Sequence, residues 1–176
     1  MALFERPTIE SLIDCIKRLD SWDTTGPDRE LDCRIAYALG HEWWDGFNVS
    51  WRWRVENEGF AGAWALDSVF DKNSVPHFTS SYDVVQDSIS SVMPEADQIS
   101  WSCDPSGCGA TVGVWHLSCP VDKNIEEHQP YIWPHGKGYA NSGLHAMLRA
   151  FLEAVLQRER GDVFETPSKT VDSDAA

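Results

Sequence analysis

Residues 99 to 119 read ISWSCDPSGCGATVGVWHLSC, and this run decides the fold class because it alternates like two strands folded about a turn. Ile99 to Cys103 and Ala110 to Cys119 are each strand-like, with the turn formers Asp104-Pro105-Ser106-Gly107 and neighbouring Gly109 between them. In the second strand Thr111, Gly113, Trp115 and Leu117 share one face, while Val112, Val114, His116 and Ser118 share the other. Neither set is uniformly polar, so both faces of the sheet are expected to be covered.

The covering elements lie on either side in sequence. Upstream, Ser80-Ser81-Tyr82-Asp83 is a helix start, Tyr82, Val85, Ile89 and Val92 recur at helical spacing, and Pro94 ends the run. Downstream, Asn141 or Ser142 caps a longer helix whose Leu144, Leu148, Phe151, Leu152, Val155 and Leu156 form an apolar stripe. Near the start, Thr8 caps Ile9, Leu12, Ile13, Ile16 and Leu19. Asp28 caps Leu31, Ile35, Ala38 and Leu39, and Gly40 stops that second helix. Val49, Trp51, Trp53 and Val55 alternate with Ser50, Arg52 and Arg54, which predicts a strand. The expected fold is therefore α+β: a small, mostly antiparallel sheet sandwiched between helices on both faces. It is one domain over 1–160, with insertions near 41–76 and 120–139 and a disordered tail over 161–176.

Cys103, Cys108, His116 and Cys119 are four soft ligands, the number a tetrahedral zinc site needs. Their spacing argues against it, because His116 and Cys119 point to opposite faces of one straight strand. A cysteine nucleophile needs a base and a setting that favours the thiolate, and neither a strand-to-helix elbow nor a helix start lies beneath these residues. With five cysteines, an odd number at low density, reduced thiols are expected rather than a disulfide framework. No metal and no cofactor is expected, and no catalytic residue is assigned.

A formal net charge of -14 repels phosphate backbones, and the basic residues form no run, so direct nucleic-acid binding is not expected. No stretch has the apolar length of a membrane span, and MALFERPTIESL lacks a basic region followed by an apolar core, so the cytoplasm is the expected compartment. Most of the nine tryptophans are expected in the core or half-buried on the sheet.

The candidate binding residues come from the aromatic and cationic insertions. Trp51 and Trp53 alternating with Arg52 and Arg54 give a strand with one aromatic and one cationic face, suited to stacking on a base. His135 and Lys137 add positive charge from a loop, where His135-Gly136-Lys137-Gly138 resembles a phosphate-cradling turn only superficially, because it lacks the longer glycine-rich spacing and the trailing Lys-Ser/Thr of a nucleotide-binding loop. Trp43, Trp44 and Trp133 are candidate anchors for a protein partner.

His77 to Asp83, running through Val92-Met93-Pro94, resembles the "Tyr-Thr-x-Ser-Leu-Asp-Ala-Ala" helix start and "Leu-Val-Pro" finish of the small phage proteins grouped as the phage ABA-sandwich domain. The likeness continues through Ile99-Ser100-Trp101, Ala110-Thr111-Val112 and Leu148-Arg149-Ala150 within the helix from Asn141 to Arg158, and Asp28 to Gly40 is similar to that family's opening helix. Phe78 and Tyr82 depart from its pattern, as do the long segments at 41–76 and 120–139. The resemblance implies helices on both sides of a small sheet and a phage or prophage origin, and it brings no catalytic residues.

These readings converge on a non-catalytic phage accessory protein that sequesters a host protein or a nucleotide-like signalling ligand in an anti-defence role, the ligand version placing its pocket at a homo-oligomer interface. One alternative is an acidic DNA mimic that blocks a nucleic-acid-binding host protein. Another is a metal-assisted hydrolase built from Asp67, Asp71, His77 and Asp83.

Overall fold

The computed structural model describes residues 8–21, 26–41, 52–53, 55–57, 59–60, 75–114 and 135–161. The chain adopts the expected class, α+β, with a small antiparallel sheet and helices packed against it. The helices are α1 (Ile9–Asp20), α2 (Arg29–Ala38), α3 (Tyr82–Val92) and α4 (Gly143–Arg160). The strands are β1 (Gln98–Asp104), β2 (Gly107–Gly113) and β3 (His135–Ala140), in sheet order β1-β2-β3.

The helix starts follow from local chemistry. Asp28 accepts from the Leu31 amide at 2.9 Å, Ser81 from Val84 at 3.4 Å and Ser142 from His145 at 3.2 Å, each satisfying an otherwise unpaired first-turn donor. Thr8 occupies the cap position of α1 in extended backbone, but its hydroxyl makes no capping bond. Gly161, at φ 68°, ends α4 in the left-handed region.

The hairpin is tighter than its sequence pattern suggests. Asp104 Oδ1 accepts from the Ser106 amide at 2.7 Å, Pro105 sets the entry, and Gly107 takes φ 144°, so only two residues separate the paired Asp104 and Gly107. Cys108, Ala110 and Val112 then turn inward and are buried.

Two expectations are overturned. Residues 52–53, 55–57 and 59–60 are helical, not a strand: Arg52 meets Glu56 and Asn57 meets the Trp53 carbonyl, each four residues apart. Residues 135–138, expected within a polar insertion, are extended in β3 and paired with β2 from Gly113 back to Ala110. Their amides belong to a flat ladder and form no cradle. The rest of the insertions, 42–51, 61–74 and 115–134, and the tail beyond Gly161 lie outside the described residues.

The glycines of β3 have a packing role. A Cβ on Gly136 would overlap the Ala150 carbonyl oxygen and stand 2.6 Å from the Ala154 nitrogen. One on Gly138 would overlap the Ala146 carbonyl oxygen and stand 2.8 Å from the Ala150 nitrogen. Ala146, Ala150 and Ala154 recur every four residues, so one small-residue edge of α4 rests directly on β3 and β2. Around the rest of α4, Met147, Leu148, Phe151, Leu152 and Val155 are fully buried. α1 packs on α4 and on α2, and α3 reaches α4 more lightly, so α4 lies between the sheet and the other helices. On the sheet face turned away from α4, Lys137 and Tyr139 are exposed among the described residues.

A buried polar tie joins α2 to the segment entering α3. Asp32 is fully buried; its Oδ2 accepts from Arg29 at 2.9 Å and its Oδ1 from the Thr79 amide at 2.7 Å. Burial raises the Asp32 carboxyl above the usual range, and the Thr79 and Arg29 donors pull it back. Arg29 also donates to the Val75 carbonyl at 2.9 Å, and Thr79 Oγ1 accepts from the Asp28 amide at 2.8 Å.

Two measurements test this packing. Gly136→Ala should lose about 3 kcal/mol in urea unfolding because backbone atoms of α4 cannot retreat. Gly109→Ala, whose added methyl meets only the Tyr139 ring at 3.5 Å, should change stability by less than about 1 kcal/mol. His41 lies edge-on to Phe78 at 5.8 Å, and burial pushes its imidazole down from 6.5 to about 4. The unfolded chain therefore takes up this proton as pH falls through 6.5, while the folded chain resists until about 4. Stability should drop across that window by up to about 3 kcal/mol, and the profile of His41→Asn should lack this component, which the wild-type-minus-variant difference then isolates.

Candidate partner-binding surface

The expected site residues do not assemble into one surface. Trp43, Trp44, Trp51, Arg54 and Trp133 lie outside the described residues. Arg52 is engaged within the chain, with its Nε 3.2 Å from Glu56 Oε1 and its guanidinium 5.1 Å from the Tyr37 ring centroid. Trp53 is half exposed, but adjacent helical residues diverge by about 100°, so the alternating aromatic and cationic faces expected of a strand do not exist here. His135 and Lys137 do share a face of β3. Burial, then the Lys137 charge, hold the His135 imidazole below its usual range, which favours its neutral form and weakens it as an anion ligand.

The cysteines also depart from expectation. Cys103 and Cys108 stand directly opposite across the hairpin with Cα atoms 4.0 Å apart and are joined as a disulfide. That removes two of the four soft ligands, since a disulfide sulfur is not a thiolate. His116 and Cys119 lie outside the described residues, and among the described residues no group of three or more histidine, cysteine or carboxylate side chains could hold a metal. Cys15 and Cys33 are buried, and burial pushes the Cys15 thiol up to about 12, so it stays protonated.

The surface that does form was not singled out in the sequence. Trp101 is 52% exposed, and Trp53, the other described tryptophan, is equally open, while the remaining seven tryptophans lie outside the described residues. Because Ile99, Trp101 and Cys103 oppose Val112, Ala110 and Cys108, they stand on the α4 side of the sheet, at its β1 flank. There the Tyr82 ring of α3 lies 5.7 Å from the Trp101 ring. A Cβ on Gly143 would stand 2.6 Å from the Tyr82 hydroxyl oxygen and 3.0 Å from Trp101, so a bare first residue of α4 lets both rings settle there. Ile99, also exposed, extends the apolar patch along β1. The signal available in sequence was Trp101 flanked by Ser100 and Ser102 on a strand whose α4-side face is only partly covered.

Other sites are less persuasive. A cleft of about 180 Å³ lies among Glu10, Ser11, Asp14, Cys15, Arg34 and Phe60. It is below the roughly 300 Å³ where pockets for drug-sized ligands begin. Arg34 in its wall is already held, 2.8 Å from Glu30 and 4.2 Å over the Phe60 ring. For the metal-hydrolase alternative, His77 Nδ1 lies 3.0 Å from the Arg29 guanidinium, a charge that opposes a cation at that nitrogen. Asp67 and Asp71 lie outside the described residues. For DNA mimicry, Asp14, Asp20, Glu30 and Glu56 are paired with arginines, which breaks up a phosphate-like array. None of the described helices is long and apolar enough to cross a membrane.

No family model matches the chain, and no curated protein or solved structure matches it.

The disulfide closes a loop of only six residues, so replacing both cysteines by serine should cost about 2 kcal/mol. A reductant should lower the wild-type unfolding midpoint to match that variant, and a chelator should leave both unchanged. A loss on chelation would mean that the cysteines hold metal.

Proposed function

We propose that this chain is a binding protein with no reaction of its own, of the kind a phage uses to sequester a host factor and blunt host defence. The observation that carries the reading is the patch of Ile99, Trp101 and Tyr82, large apolar side chains left open beside one another. An exposed tryptophan stacked by a second ring and backed by a rigid helix start is an anchor of the type that dominates protein interfaces. A protein partner is favoured over a nucleotide-like ligand because the patch is an open flank of exposed apolar side chains and, among the described residues of β1 and α3, carries no cationic side chain.

The phage setting rests on the resemblance of residues 77–94, 99–101, 110–112 and 141–158 to phage ABA-sandwich sequences. A host-cell cytoplasmic location belongs to the same proposal. The Cys103–Cys108 bond bears on it, since a reducing cytosol keeps such bonds transient and an oxidising compartment preserves them.

Native mass spectrometry of the chain, purified gently from cells that make it at natural levels, should find a stoichiometric complex with another protein. Trp101→Ser should reduce that complex by about tenfold or more, the effect of losing one interface anchor. Recovery of the free chain alone, or of a complex indifferent to Trp101→Ser, would sink the reading.

A further inference from the structure

The chemistry of the partner can be read from the strand on which the patch sits. Among the described strands β1 lies at an edge, and Gln98 to Cys103 contains no lysine, no proline and no charge, so that the one charge on the strand is Asp104 at its hairpin end. The 4.0 Å Cα separation of Cys103 and Cys108 marks the narrow, non-hydrogen-bonded kind of antiparallel pair. By the two-residue period, Trp101 with Ala110 and Ile99 with Val112 are pairs of the same kind. The amides and carbonyls of Ile99, Trp101 and Cys103 therefore point away from β2, toward the open edge, and among the described residues no strand takes them up.

The segment that carries this edge is charged with one sign, and the exposed Lys137 stands two strands away in the row of Ser100 and Thr111. From Ser81 to Val114 there is no lysine or arginine, while Asp83, Asp87, Glu95, Asp97 and Asp104 give five carboxylates. Arg158, reaching over from α4, meets Glu95 at 3.3 Å. Two copies of the chain would bring two such acidic segments together, so charge opposes self-pairing at this edge and favours a basic partner.

We propose that the free edge of β1 accepts an extended segment of another protein, alternating basic and apolar residues, as an added fourth strand. This rests on the binding reading above and gives it a mode. On the α4 side the added strand's side chains meet Ile99, Trp101 and Tyr82, which calls for apolar residues. On the other side they meet Ser100, Ser102 and Asp104, where lysine or arginine is complementary. Main-chain bonds to Ile99, Trp101 and Cys103 supply affinity, and the alternation supplies selectivity.

The test titrates the full-length chain with three extended peptides: alternating arginine and valine, alternating glutamate and valine, and the arginine peptide interrupted by a central proline. At low ionic strength the arginine peptide should bind at least about tenfold tighter than either counterpart and weaken with salt. It should also slow amide hydrogen exchange at Ile99, Trp101 and Cys103. Ser100→Lys with Ser102→Lys, both exposed positions, should weaken that binding by about tenfold while leaving thermal unfolding unchanged.

Absent binding, binding without protection of those three amides, or equal binding to the lysine variant would overturn the inference. So would protection already present in the free chain, whether from a second copy or from its own segments. These failures are separable from failure of the binding reading, which Trp101→Ser decides on the natural complex. A complex that needs Trp101 yet tolerates both lysines would leave the partner docked on the patch and not on the edge.

Discussion

At β3 the backbone of α4 comes closer to the sheet than side chains allow. Gly136 and Gly138 offer bare backbone to the Ala146, Ala150 and Ala154 edge of the helix, and the approach excludes even a methyl group at either glycine. This close seat sets the rest of the architecture. With its small edge spent on the sheet, α4 turns Met147, Leu148, Phe151, Leu152 and Val155 toward α1, α2 and α3. It becomes the buried centre of the molecule, the reason it is apolar nearly all round. Because it is seated over β3 and β2, it covers β1 least, and Ile99 and Trp101 are left at an open flank.

The buried tie of Arg29, Asp32 and Thr79 acts on the same flank from the other side. It fastens the chain just before Ser81, the residue that starts α3, and so sets where Tyr82 emerges beside Trp101. A buried carboxylate is costly unless its oxygens are matched, and here each Asp32 oxygen has a donor. The placement of the aromatic pair thus depends on a charge pair in an otherwise apolar interior. Gly143 depends on it too, since its missing side chain is the space that both rings occupy.

Legibility in sequence followed how local the cause was. α1, α2, α3 and α4 were readable because their apolar residues repeat within one helical turn and their caps are nearest neighbours. At Arg52, Trp53 and Val55 the helix departs from the strand that the sequence pattern predicts, because four alternating apolar residues satisfy a strand period as well as they fit part of a helix. Arg52 with Glu56, and Trp53 with Asn57, were the competing helical signals. The disulfide was also within reach: with Asp104-Pro105-Ser106-Gly107 read as a two-residue hairpin loop, Cys103 and Cys108 must face each other. An odd cysteine count at low density argues for reduced thiols, and that compositional signal opposes the one carried by strand register. Gly136 and Gly138 suit a loop, yet glycine in a strand also marks the close approach of another backbone.

What the sequence determined by itself was the four helices α1 to α4, most of their caps, the β1–β2 hairpin and the acidic character of residues 81–114. Periodicity, capping and charge are properties of neighbours along the chain. Only tertiary structure decided which strand lies at an edge, which tryptophan stays in solvent, and that Tyr82 and Trp101, nineteen positions apart by number (101 minus 82), meet at Gly143. Those outcomes depend on where α4 comes to rest, and that is settled by steric fit between β3 glycines and helix alanines that no local pattern encodes.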